Sequence, residues 1–216
     1  NGMSNGWVKV ERIAGTAPYY AYAVINDNQN SDGSFVTPVV AESLTGKTSQ
    51  TLPVLVEVAA FSSELVLTNF GTAPKSFRVT FVADAVTAAG NAAALDVTLA
   101  PGEQQILPDF IQLLGERGVP GVGARGPTFA GAAFLTVASG DVSGLFLGAR
   151  TSSPGGGGRY GLFYSGVPQG SAAITQATLN GLQQNADNRA NLALVNTGEV
   201  DGSSDTFQVQ IVNGAT

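Results

Sequence analysis

The chain has no cysteine and no histidine. Without cysteine there is no disulfide framework and no thiol chemistry. Without histidine the usual general base and the commonest transition-metal ligand are gone, which leaves oxygen-ligand metals such as calcium. Charge is scarce as well: Asp, Glu, Lys and Arg make up only 12% of 216 residues, the net charge is −6, and no basic run occurs. Such a chain is a poor partner for nucleic acid and for anionic membranes. No apolar run reaches the ~18 residues of a membrane span. The sequence opens Asn1-Gly2-Met3 rather than on an initiator methionine. It therefore reads as a processed or partial chain of an exported, extracellular or cell-surface protein.

What the chain does have is apolar content, 44% of residues, arranged with period two. Trp7 to Ile13 alternates, and Tyr19 to Ile25 is aromatic and β-branched. Further strands are expected over 35–41, 51–60, 64–69, 76–82, 93–99 and 103–107. A later set is expected over 132–138, 144–151, 159–165, 172–179, 190–195 and 206–212. Short Val-, Leu-, Phe- and Thr-rich segments between Gly, Pro, Asn and Ser turns predict an all-β, antiparallel fold. One short capping helix is expected, opened by Pro108-Asp109, with Phe110, Ile111, Leu113 and Leu114 as its apolar face and Gly115 or Gly118 as its stop. Two glycine-rich stretches, 120–127 and 154–158, read as flexible connections.

The chain also repeats itself. Leu65-Val-Leu-Thr-Asn69-Phe-Gly71 recurs as Leu192-Ala-Leu-Val-Asn196-Thr-Gly198, a shift of 127 from residue 65 to residue 192. Phe77-Arg-Val79-Thr-Phe81-Val82 recurs as Phe207-Gln-Val209-Gln-Ile211-Val212, a shift of 130 from residue 77 to residue 207. The difference falls in the intervening turn, where insertions are tolerated. Val8-Lys-Val10 matches Leu135-Thr-Val137, and Gly33-Ser-Phe35 matches Gly161-Leu-Phe163. One complete repeat then fits 36–168. Residues 1–35 form the closing half of a second and residues 169–216 its opening half, without a counterpart of 93–131.

The run Leu65-x-Leu67-x-Asn69-x-Gly71-x-Ala73-Pro74-x-x-Phe77-x-Val79-x-Phe81 leads into Leu99-Ala-Pro101-Gly102-Glu103 and Leu107-Pro108-Asp109. It resembles the Ig-like β-sandwich repeats of secreted and surface bacterial proteins. Tyr20 to Asn28, followed by Phe35-Val36, is similar to the closing strands of the same repeats. The resemblance implies two related Ig-like units in an extracellular module, commonly in tandem, and carries no catalytic residue.

Half-repeats left alone expose unpaired strand edges and one apolar face. They can close on each other within one chain, complete one another between copies head to tail, or belong with longer neighbours. For completion between copies, the expected interface anchors are Tyr19, Tyr20, Tyr22, Val24 and Ile25.

Other chemistry has thin support. Gly121-x-Gly123-x-x-Gly126 matches a dinucleotide fingerprint, but a helix precedes it and a strand follows, the reverse of what the fingerprint needs. Asn28, Asn30 and Asp32 sit at calcium-loop spacing, with Asn at position 1 and Val39 where the closing Glu belongs. The competing reading is an Asn/Asp/Gly turn. Glu199 to Asp205 is a weaker acidic tip. Lys9 with Asn191 or Asn196, helped by Glu11 or Glu64, has the composition of an isopeptide set. A Ser–Lys dyad would draw on Lys9, Lys47 or Lys75, but no Gly-x-Ser-x-Gly elbow exists. Trp7, Tyr19, Tyr20 and Tyr22 could stack on a glycan. The expectation is a non-enzymatic structural protein that assembles with copies of itself, the alternative being a carbohydrate-binding or adhesive module.

Overall fold

The computed structural model describes residues 5–84, 86, 92–122 and 128–214. The chain divides into two compact units, Asn1–Ser171 and Ala172–Thr216.

Among the described residues, the first unit is antiparallel β-sheet with one α-helix. Its strands are β1 (Ala23–Asn26), β2 (Gly33–Val36), β3 (Ser49–Val58), β4 (Phe61–Asn69), β5 (Lys75–Ala83) and β6 (Ala92–Leu99). They continue with β7 (Gln104–Leu107), β8 (Phe129–Thr136), β9 (Leu145–Gly155), β10 (Gly158–Ser165) and β11 (Val167–Pro168).

Strands β3 and β4 form a hairpin that pairs only at its tip, Glu57↔Ser62 and Val58↔Phe61. Beyond the tip each strand finds other partners. Strand β3 pairs with β8, and β8 pairs on its far side with β5, which carries β6. Strand β4 pairs with β9 and β7, and β9 with β10. The β3–β8 register slips between Leu52 and Leu55. Pro53 lies there; it has no N–H for a ladder, so a bulge is the natural outcome.

Both branches feed one core. Alternation on β5 turns Phe77, Val79 and Phe81 inward. They join Leu52 and Leu55 of β3, Leu65 and Leu67 of β4, Leu135 of β8, and Leu145 and Leu147 of β9. Phe81 meets Phe129 edge-on, with centroids 6.5 Å apart.

The helix α1 spans Phe110–Glu116 and buries Phe110, Ile111 and Leu114. Leu113, expected on that face, is only half-buried, while Gln112 is buried beside the apolar positions. Asp109 precedes the helix at φ 45 with no side-chain cap bond, so its expected capping role is not played by the carboxylate. Gly118, at φ +66, follows the last turn, where Val119 N–H returns to the Leu114 carbonyl at 3.0 Å.

Expected strands and observed strands coincide closely from β3 to β10, whereas the strand expected over 35–41 is observed as Gly33–Val36, with a 3-10 turn starting at Ala41. They differ at the two ends. Residues 7–13 carry no ladder, and the aromatic run at 19–25 is strand only from Ala23 onward. In the second unit no described residue belongs to a strand. A period-two segment becomes a strand only when a neighbour accepts its backbone bonds. These segments have the pattern and no such neighbour among the described residues.

The 154–158 stretch is not a loose connection. Pro154 and Gly155 end β9, and Gly158 starts β10. Gly156 and Gly157, at φ +59 and +81, make the two-residue turn, a geometry that needs positive φ at both central positions. In the other glycine-rich stretch, residues 123–127 lie outside the described residues, so Gly123 and Gly126 of the fingerprint do too.

Candidate interaction surface

Two features of the first unit stand outside its core: a polar seam and an unpaired arm.

The seam seats the β1–β2 hairpin beside β9 and β10. Its hub is Asp27. One carboxylate oxygen accepts the N–H groups of Gln29 and Asn30 at 2.8 and 3.2 Å, and the other accepts Arg159 N–H at 3.0 Å. These bonds hold the Asp27 carboxyl below its ordinary pKa, the Gln29 amide contributing most and the Arg159 amide next. The Asp27 backbone closes the loop too, donating to the Asp32 carbonyl and accepting from Ser31 N–H. Gly158 is packed against this carboxylate: a Cβ there would lie 2.1 Å from Asp27 Oδ1.

The predicted calcium residues sit in this loop. Asn28 is exposed. Asn30 uses Oδ1 to accept Asp32 N–H at 2.9 Å and Nδ2 to donate to the Gly155 carbonyl at 3.0 Å. Asp32 Oδ2 accepts Gly161 N–H at 2.7 Å. The loop thus spends its side chains on its own amides, on the end of β9 and on β10. Behind it lies Arg150, only 8% exposed. Its Nε donates to Ser34 Oγ at 3.0 Å, and its guanidinium lies 3.9 Å from Asp32 Oδ2. Burial raises the pKa of Glu64, with Arg150 and Arg159 opposing that rise. Arg159 itself bonds Ser152 Oγ and Ser62 Oγ. Sequence reasoning singled out Asn28, Asn30 and Asp32 and missed Asp27. The available signal was an Asp two and three residues before amides that must turn, the Asx-turn pattern.

The arm is residues 5–22. The proposed interface residues Tyr19, Tyr20, Tyr22, Val24 and Ile25 are all exposed, as are Val8, Val10 and Ile13. Tyr22 stacks on Phe35 with centroids 5.1 Å apart, and the Tyr19 hydroxyl donates to the Val10 carbonyl. Trp7 is tied down. Its Nε1–H donates to the Gly102 carbonyl at 3.0 Å, Gln104 Nε2 donates to the Gly6 carbonyl, and its ring lies 6.4 Å from Phe70. Lys9 pairs with Glu11 at 2.7 Å.

The second unit repeats a turn of the first. Gly71 N–H donates to Asn69 Oδ1 at 3.0 Å, and Asn69 Nδ2 donates to the Ala73 carbonyl at 2.9 Å. In the later copy Gly198 N–H donates to Asn196 Oδ1 at 2.8 Å, and Asn196 Nδ2 donates to the Ser203 carbonyl at 3.2 Å. Ser203 takes the place of Ala73 once the longer turn is allowed for. Asn69 has another carbonyl, that of Leu99, whereas Asn196 bonds Asp205 Oδ2. In the acidic tip, Asp201 accepts the amide and hydroxyl of Ser203.

Around these matching turns the burial is opposite. Leu65, Val79 and Phe81 are each 0% exposed; their counterparts Leu192, Val209 and Ile211 are 49%, 52% and 93% exposed.

No family model matches the chain. No curated protein matches it. Among solved structures, it is similar to the crystal structure of Thermotoga maritima 1070, with TM-score 0.39 and 13% identity over 59% of this chain and 98% of that one. No helix among the described residues is long and apolar enough to cross a membrane.

Proposed function

We propose that this chain is a structural, non-enzymatic subunit of an extracellular or surface filament, built of tandem Ig-like β-sandwich units that complete one another between copies by strand addition. The observation that carries this reading is the reversal of burial within the repeat. The residues that form the core at Leu65, Val79 and Phe81 recur at Leu192, Val209 and Ile211 with their side chains in solvent. Each such side chain gains about 1.5–3 kcal/mol when buried, so the exposed copies form a surface that favours a partner. The arm 5–22 holds the complementary set: exposed Val8, Val10 and tyrosines on backbone without a ladder among the described residues. Half-repeats on either side of the intact unit make a head-to-tail, heterologous contact between copies, which propagates as a filament.

Negative-stain electron microscopy and sedimentation of the purified chain test the proposal. Regular fibres and a concentration-dependent sedimentation coefficient are expected, and Val209→Lys should abolish both. Monodisperse monomers at every concentration would overturn it. Glycan titration of such monomers would then examine the carbohydrate-binding alternative, read as a rise in Tm.

A further inference from the structure

We infer that residues 7–10 of one copy insert as a central strand between residues 175–179 and 207–211 of a second copy, in the register that β8 keeps between β3 and β5. The inference rests on the strand-completion reading and adds to it the partner segments and their pairing.

The intact unit supplies the template. Leu135 of β8 lies opposite Gln50 of β3 on one side and Val79 of β5 on the other, and all three are buried. Each strand of that trio has a counterpart at the ends of the chain. Trp7-Val8-Lys9-Val10 follows Phe134-Leu135-Thr136-Val137. Phe207-x-Val209-x-Ile211 follows Phe77-x-Val79-x-Phe81. Thr175-x-x-Thr178-Leu179 follows Thr48-x-x-Thr51-Leu52. Carried across, the register puts Val8 opposite Val209 on one side and Ala177 on the other.

Three observations favour this arrangement. Val8, Ala177 and Val209 are all exposed and outside any ladder. The turn that leads into 207–211 is already formed, because Asn196, Gly198 and Ser203 reproduce the bonds of Asn69, Gly71 and Ala73. The donated strand is also anchored at its base, since Trp7 bonds Gly102 and packs near Phe70. Ordering cost is reduced where a turn and an anchor pre-exist. The face pattern agrees with the template: Val8 and Val10 take the inward side, and Lys9 takes the place of exposed Thr136.

The absence of native cysteine makes a clean test. Directly opposite residues in an antiparallel pair have Cα atoms about 4.5–5.5 Å apart, within disulfide range. Val8→Cys and Val209→Cys are made as separate variants, mixed and oxidised. The expected result is a cross-linked species of two chains, with the Val8–Val209 disulfide found by peptide mass. Val8→Cys mixed with Gln208→Cys should give at least tenfold less, because position 208 faces the opposite side. The doubly substituted chain, Val8→Cys with Val209→Cys, is run beside it. A cross-link found only within single chains, unchanged on dilution, would keep the register and overturn the second copy as occupant. Cross-linking equal for Val209→Cys and Gln208→Cys, or absent from all, would overturn the register. Fibres seen in that same sample would leave the completion reading standing.

Discussion

Arg159 is held to Asp27 through its backbone rather than its guanidinium: its N–H donates to Asp27 Oδ2 at 3.0 Å. One carboxylate thereby orders its own loop and ties that loop to the start of β10. Asp27→Ala should leave the N–H groups of Gln29, Asn30 and Arg159 without this acceptor. Faster proteolysis within 27–32 and a lower Tm are expected, read by limited digestion and calorimetry. Gly158→Ala attacks the same joint from the other side, since its Cβ would fall on the carboxylate. A loss of about 1–3 kcal/mol is expected, typical of overpacking.

Acid should loosen a second joint. Asp141 accepts Gly46 N–H and both Ser143 donors, and Lys75 lies nearby. These bonds, the Gly46 amide first, lower its pKa from 3.8 to about 2. A depressed folded-state pKa contributes stability that is present above the unfolded value and lost as pH falls through the folded one. The window is therefore 3.8 down to about 2. Asp141→Asn should melt below the parent protein at pH 6, and the gap in Tm should close by pH 2. A gap that stays constant with pH would refute this.

Matched truncations should separate the two copies. Leu67 is fully buried, and Leu67→Ala should cost about 2–5 kcal/mol in urea unfolding. Its counterpart Leu194 is 55% exposed, so Leu194→Ala should change dilute monomer stability by less than about 0.5 kcal/mol. Under conditions where fibres form, Leu194→Ala should weaken assembly instead.

The paired asparagines make a similar contrast. Asn69 is buried and bonds two carbonyls. Asn69→Ala strips the buried Leu99 carbonyl of that donor, a loss of about 1–3 kcal/mol. Asn196 is in an exposed turn, and Asn196→Ala should leave the Tm of the first unit unchanged.

Much of the first unit was legible in the sequence because its strands alternate against a core on one side, as Phe77, Val79 and Phe81 do. The turn at Gly156 and Gly157 was misread as flexible because glycine supports both a loose link and a tight turn, and only the flanking strands decide between them. The polar loop was recognised, but its hub was not. Calcium-loop spacing drew attention to Asn28, Asn30 and Asp32, while Asp27 does its work through amides that no motif marks. The end segments show the limit of periodicity. Val8 and Val209 obey a strand pattern as well as Val79 does, but a pattern cannot supply the neighbouring backbone.

The strand order also carries a consequence for time. Strand β8 sits between β3 and β5, with Ser49 opposite Thr136, so this strand is made after both of the neighbours it joins. At about 5–20 residues per second on the ribosome, some 4–17 s separate those two residues. Through that interval β3 waits with an open edge, β5 doing so from the time it is made, and closing the sheet needs contacts far apart in the chain, the slow kind. A newly made chain therefore spends its first seconds ready to accept a strand from a neighbour, and the rate of synthesis sets how long that opportunity lasts.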